Sequence, residues 1–146
     1  MKYIDGDLIQ LAKEGKFDVI GHGCNCFCNM GAGIAKSIKE SFPEAYKADR
    51  QTPYADVTKL GKMSFGKQGD LVILNLYTQF DTGKGLKAHY DAIRECMKAV
   101  KKRYSGKRIG LPLIGAGLAG GDWNIISKII EDELGDEDVT IVKFKK

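Results

Sequence analysis

Two glycine-rich segments restrict most strongly what this chain can fold into: Met30-Gly31-Ala32-Gly33 and Gly115-Ala116-Gly117-Leu118-Ala119-Gly120-Gly121. Residues 17–24 before the first and 108–113 before the second are apolar and rich in strand formers. Each segment is followed by apolar residues at helical spacing. A strand that turns through glycine into a helix is the building unit of an α/β sheet, and ligands gather at the carboxyl edge of its strands. Main-chain N–H groups at a helix start carry partial positive charge, and glycine lets them approach an anion with no Cβ in the way. Two such turns in one chain point to a cradle for a diphosphate-bearing nucleotide.

The rest of the pattern supports an α/β reading. Strands are expected at residues 2–4, 17–24, 71–77, 108–113 and 139–144, with 71–77 (Leu-Val-Ile-Leu-Asn-Leu-Tyr) the strongest and placed at the centre of the sheet. Helices are expected at 8–14, at 34–42 with Ile34, Ile38 and Phe42 on one face and Pro43 as the stop, and at 86–104. In the last of these, Leu86, Tyr90, Ile93, Met97, Val100 and Tyr104 keep one face apolar, and His89 falls on the solvated side. Asp122 is a natural N-cap for a helix to Leu134, whose buried stripe is Trp123, Ile126, Ile130 and Leu134. Residues 44–67 read as irregular, and 78–85 as a polar loop.

Gly115–Gly120 is literally G-x-G-x-x-G, the dinucleotide fingerprint. A dinucleotide fold, however, needs an acidic residue at the end of the next strand to hold the ribose. Here the next strand ends in Lys143-Phe144-Lys145-Lys146. The anion cradle therefore survives while hydride transfer does not.

With 146 residues the chain suits one domain, residues 1–146. Hydrophobic residues at 43% and charged residues at 29% exclude a disordered chain. A net charge of +4 favours an anionic ligand. Its cations are dispersed, and Lys101-Lys102-Arg103 falls at a helix end, so nucleic-acid binding is not indicated. No apolar run approaches the about 18 residues of a membrane span, and no signal-peptide layout opens the chain. A cytoplasmic protein with reduced cysteines follows as the expectation. His22, Cys24, Cys26 and Cys28 alternate, but structural zinc prefers paired knuckles, so no metal or other cofactor is expected.

Three motifs in order resemble the macrodomain family over nearly the whole chain. Gly23-Cys24-Asn25-Cys26 with Met30-Gly31-Ala32-Gly33-Ile34-Ala35 is similar to the family's first ligand loop. Pro112-Leu113-Ile114-Gly115-Ala116-Gly117-Leu118, followed by Trp123, is similar to its second. Tyr3-Ile4-Asp5-Gly6-Asp7-Leu8 is similar to its opening strand and acidic cap. The resemblance implies a three-layer α/β/α sandwich around a mixed sheet, which binds ADP-ribose and in many members hydrolyses ADP-ribose from a macromolecule or phosphate. Asp7 would then accept from the adenine amino group with Leu8 beside it, and Asn25 would hold the distal ribose. Gly31, Ala32, Gly33, Ile34 and Ala35, together with Ile114, Gly115, Ala116, Gly117, Leu118 and Ala119, would wrap the diphosphate and that ribose.

Within the family, His22 at the head of the first loop and the Leu118-to-Trp123 spacing resemble the branch that holds the yeast ADP-ribose 1''-phosphate phosphatase and the ALC1-like hydrolases. The chain departs from the ALC1-like pattern at Gln79, where that pattern has lysine, and at Ala119, where it has aspartate. Lys84 and Asp122 are the nearby substitutes.

The reading this leaves is a hydrolase acting at the distal ribose of ADP-ribose or an ADP-ribosylated substrate, with a monomer expected. The alternative is a non-catalytic ADP-ribose reader or sequestering module. His22, with a pKa range suited to proton transfer, and Asp122 beside the second loop are the candidate catalytic groups. Thr78 and Phe80, in the loop that also carries Asp81, are further candidate ligand contacts. Without a C-x5-R loop, a serine elbow or a Walker A motif, any hydrolysis is water-based.

Overall fold

The computed structural model describes residues 1–83 and 85–145. Six strands form one sheet in the order β1-β6-β5-β2-β4-β3: β1 Lys2–Gly6, β2 Val19–Cys24, β3 Met63–Gln68, β4 Leu71–Tyr77, β5 Ile109–Leu111 and β6 Val139–Phe144. Only the β3–β4 pair is antiparallel, so the sheet is mixed, as expected. Helices α1 Leu8–Lys13, α2 Gly33–Ser41 and α3 Pro43–Arg50 cover one face, while α4 Tyr90–Tyr104 and α5 Trp123–Leu134 cover the other.

Strand periodicity of two explains the layers. Val19, Leu74, Leu111 and Ile141 point into a cluster with Ile93, Met97, Ile126 and Ile130 from α4 and α5. Their neighbours Ile20, Ile73 and Val142 point the other way, against Leu8, Ile38, Phe42 and Ala45. Strands buried on both faces read as continuous apolar runs, which is why β2, β4 and β6 are plain in the sequence.

Four expectations are corrected. Pro43 does end α2, but it is also the first residue of α3, since proline is tolerated where a helix N–H has no acceptor anyway. The stretch taken as irregular holds α3, a 3-10 turn at Val57–Lys59, and β3, an edge strand in which only Gly66 is buried. Gly66 brings β3 against α3: a Cβ there would stand 2.5 Å from the Ala45 nitrogen. Strand β4 is one in from that edge, and the central pair is β5 and β2.

The fourth concerns α4, which starts at Tyr90 rather than at residue 86. An isolated bridge between Gln79 and Ala88 holds the preceding chain extended, and His89 caps the helix by accepting the Ala92 N–H at Nδ1. Leu86 is consequently exposed. No helix among the described residues is long and apolar enough to cross a membrane.

Candidate functional site

The glycine loops meet because β2 and β5 are neighbours. Those strands pair only at Val19–Ile109 and Ile20–Gly110 and then part, which opens a crevice at their carboxyl ends. A cleft of about 580 Å³ fills it, lined by Gly23 and Cys24 at the end of β2 and Asn25 just after it, by Gln79, Thr82 and Gly83 after β4, and by 112–115 and 117–119 after β5. Gly33 and Leu118 face each other across it, with the Leu118 Cδ1 only 3.2 Å from where a Gly33 Cβ would stand.

A second cavity of about 700 Å³ is lined by Asp7, Leu8, Ile9 and Phe144. It shares Gly33, Ile34, Pro112 and Leu113 with the first, so the two form one groove along the sheet edge.

The waist of this groove is rich in unpaired donors. Helix α2 starts at Gly33 with φ +58°, and its cap residue Ala32 supplies no side-chain acceptor. The first N–H groups of α2 therefore point outward unsatisfied. Across the groove, the N–H groups of Gly115, Gly117, Leu118 and Ala119 donate no hydrogen bond among the described residues. Gly115 has φ +74°, which turns the chain there without steric cost. Two sets of amides converging on one gap suit an anion.

At one end of the groove, Asp7 caps α1 through Oδ1, which accepts from the N–H groups of Ile9 and Gln10. Its other oxygen makes no hydrogen bond among the described residues. At the opposite end, the Asn25 side chain is tied into its own loop: Nδ2 donates to the Asn29 carbonyl and Oδ1 accepts the Phe27 N–H. The loop is held from behind by Lys59, a buried residue whose Nζ donates to the Cys26 carbonyl at 3.2 Å.

Of the residues singled out in the sequence, Asp7, Leu8, Asn25, Gly31, Ala32, Gly33, Ile34, Ala35, Ile114, Gly115, Gly117, Leu118 and Ala119 line the groove. The others fall elsewhere. His22 is fully buried beneath the α3 side of the sheet, with Nε2 2.8 Å from Asn75 Oδ1. Desolvation pushes it down to about 4, against a smaller raising effect of the Asn75 hydrogen bond, so it stays neutral. Asp122 is exposed and caps α5 through the Asn124 N–H, outside the lining.

Phe80 packs edge-to-face on Phe27 at 5.0 Å, and Phe27 in turn on Tyr54 at 5.5 Å, an aromatic group beside the Asn25 end. Ala116 and Thr78 also fall outside the lining. Asp81 pairs with Lys87 at 3.3 Å. Lys84 lies outside the described residues.

Asn29, Gln79, Thr82, Pro112 and Leu113 line the cleft without having been singled out as ligand contacts. Gln79 keeps its side chain in place by donating from Nε2 to the Asp81 carbonyl. Strand ends predict such positions generally, but nothing in their residue types does. Cys24 is the sole residue with an ionisable side chain in the described lining of the cleft, but its buried thiol lies against the His22 ring, 3.5 Å from Nε2, and burial raises it well above the ordinary range. No group of three or more metal-ligating side chains occurs among the described residues.

The Macro domain family model matches residues 22–130. An uncharacterized 17.5 kDa protein from the tk-vs intergenic region of Enterobacteria phage T4 is 38% identical over a 154-residue alignment, which covers 99% of this chain and 97% of that protein. The ADP-ribose glycohydrolase OARD1 of Bos taurus is 27% identical, with 97% of this chain and 89% of that protein covered. A solved structure of a protein of unknown function from Bacteroides thetaiotaomicron superposes with a TM-score of 0.84 at 30% identity, covering 97% of this chain and 96% of that one.

Proposed function

Since the chain belongs to the macro domain family, we propose that it binds ADP-ribose along the groove and hydrolyses the bond that joins a substituent to the distal ribose. The observation that carries the binding half is the convergence of unsatisfied N–H groups from the start of α2 and from residues 115–119 on one gap. A diphosphate fits that waist. The adenine then lies in the larger cavity near the unused Asp7 oxygen, and the distal ribose lies by Asn25 and Gln79. Resemblance to an ADP-ribose glycohydrolase over nearly the full chain supports the hydrolytic half.

Hydrolysis here adds water across the bond at the distal ribose. The protein's part is to hold the sugar and to stabilise developing negative charge with loop amides. His22 takes no direct part in this reading, because it is neutral and walled off.

A second reading, a non-catalytic ADP-ribose reader, is favoured by one specific observation. Among the described lining residues only Cys24 carries an ionisable group, and its thiol is buried against His22.

Calorimetry with ADP-ribose, AMP and NAD tests the cradle, which is wrong if none of them binds. Incubation with ADP-ribose 1''-phosphate and with ADP-ribosylated protein and DNA tests the chemistry. Tight binding with no product from any of these leaves the reader standing.

A further inference from the structure

Among the described residues that line the cleft, polar side chains belong to Cys24, Asn25, Asn29, Gln79 and Thr82. Cys24 turns its thiol to the His22 ring, and Asn25 spends both amide atoms on Asn29 and Phe27. Asn29 and Thr82 are exposed, and no hydrogen bond among the described residues fixes either side chain.

Gln79 differs from all of these. It is half-buried, its N–H donates to the Cys24 carbonyl at 3.4 Å, and the bridge to Ala88 holds its backbone from the other side. Its Nε2 donates to the Asp81 carbonyl at 2.8 Å. A carbonyl only accepts, so the amide nitrogen must be the atom that faces it; the reversed amide would set two oxygens in contact. Oε1 is the atom left over, and it accepts no hydrogen bond among the described residues. Buried side-chain oxygens without a partner occur at Asp49 and Thr78, not here. Gln79 thus combines a fixed side chain with an acceptor open to the cleft, at the end of the groove away from Asp7.

We propose that Gln79 is a positioning residue for hydrolysis, its Oε1 accepting a hydrogen bond from the water that attacks the distal ribose. The inference rests on the hydrolytic half of the ADP-ribose reading. The water oxygen bonds to C1'' of that ribose, the bond from C1'' to the substituent breaks, and its electron pair leaves with the substituent. One water proton passes through solvent to the departing group. At a sugar centre positive charge develops before the new bond is complete, so the attacking water needs orientation more than early deprotonation. An amide oxygen orients a water without itself titrating, as a glutamine does in some nucleotide hydrolases. Such a role suits a cleft whose described lining holds no carboxylate.

The test compares wild type with Gln79→Met, which keeps the length of the side chain and removes the amide. Turnover is measured on ADP-ribose 1''-phosphate and on ADP-ribosylated protein and DNA, and ADP-ribose affinity by calorimetry. On whichever substrate wild type cleaves, kcat is expected to fall about a hundredfold, with KM and the ADP-ribose Kd within about threefold of wild type. Thermal unfolding checks that the variant is folded; if it is not, Gln79→Ala should give the same split. An unchanged kcat, or a loss carried by KM and Kd alone, overturns the assignment and leaves the ADP-ribose reading intact. A wild type that binds ADP-ribose and cleaves none of the substrates overturns the hydrolytic reading and the assignment together.

Discussion

His22 and Asn75 are register partners on β2 and β4, and their fully buried side chains meet at 2.8 Å. The Asn75 amide nitrogen donates to the Ala45 carbonyl and to Ser64 Oγ, so its oxygen is the atom that faces the ring. His22 therefore carries its proton on Nε2 and donates it. The Cys24 Sγ lies against the ring, 3.5 Å from Nε2 and 3.7 Å from Nδ1. This is a histidine satisfied within the sheet, with no charged side chain in hydrogen-bond contact.

That environment sets a pH dependence. The folded protein takes a proton on His22 only near pH 4, whereas the unfolded chain takes one near 6.5. Between those values the unfolded state holds more protons, so stability is fully present above about pH 6.5 and is lost as pH falls toward 4. The loss from this residue is expected to reach roughly 3 kcal/mol. Asp49, raised chiefly by burial, works in the opposite direction, so the comparison to make is between wild type and His22→Gln. Denaturant unfolding at several pH values checks it: a stability gap that stays constant from pH 7 to 4 would contradict the assignment. ADP-ribose affinity of His22→Gln at pH 7.5 should lie within about threefold of wild type.

Gly33→Glu should abolish nucleotide binding. The position has φ +58°, opens α2 and faces Leu118 across the waist, so the new carboxylate would occupy the anion's place and be repelled by it. A loss of at least about a hundredfold, more than 2.7 kcal/mol, is expected by calorimetry. Unchanged affinity would move the phosphates elsewhere.

Gly66→Ala tests the fold far from the groove. The added Cβ would lie 2.5 Å from main-chain atoms of both Glu44 and Ala45, neither of which can swing aside. A destabilisation of about 1–3 kcal/mol or more is expected in thermal unfolding. A melting temperature equal to wild type would mean that α3 is free to move off β3.

Lys59 and Asp49 are both buried and share Tyr77. Its hydroxyl donates to Asp49 Oδ1 at 2.7 Å, and its ring lies under Lys59 Nζ at 4.6 Å. Asp49 Oδ2 has no partner among the described residues, which leaves the nearby ammonium to balance its charge. Lys59→Met or Asp49→Asn alone should cost about 2–4 kcal/mol, by stranding the other charge. The double variant should cost less than the sum of the two, with a coupling of about 1–3 kcal/mol in a denaturant-unfolding cycle. Strict additivity would show that the two charges do not sense each other.

The elements legible in the sequence are those whose local signal and burial agree. Strand β4 and helix α5 have the bounds expected, Leu71–Tyr77 and Trp123–Leu134, because one is a run buried on both faces and the other pairs an N-cap with an apolar stripe. Strand β3 was hidden because an edge strand buries little: five of its six residues are exposed or half-buried, so it carries no apolar run. Helix α3 was hidden by Pro43, whose two uses, stopping one helix and starting the next, look the same in one dimension.

By itself the sequence determined the α/β character and both glycine turns, because glycine at the end of an apolar strand is a local backbone requirement. Tertiary structure alone decided that the turns face one another, because β2 and β5 lie side by side although their starts, Val19 and Ile109, are 90 residues apart. It also decided the fate of the polar residues. His22 and Gly23 are adjacent in the chain, but strand alternation sends the imidazole into the closed side of the sheet and leaves the glycine on the cleft wall, in front of Thr78.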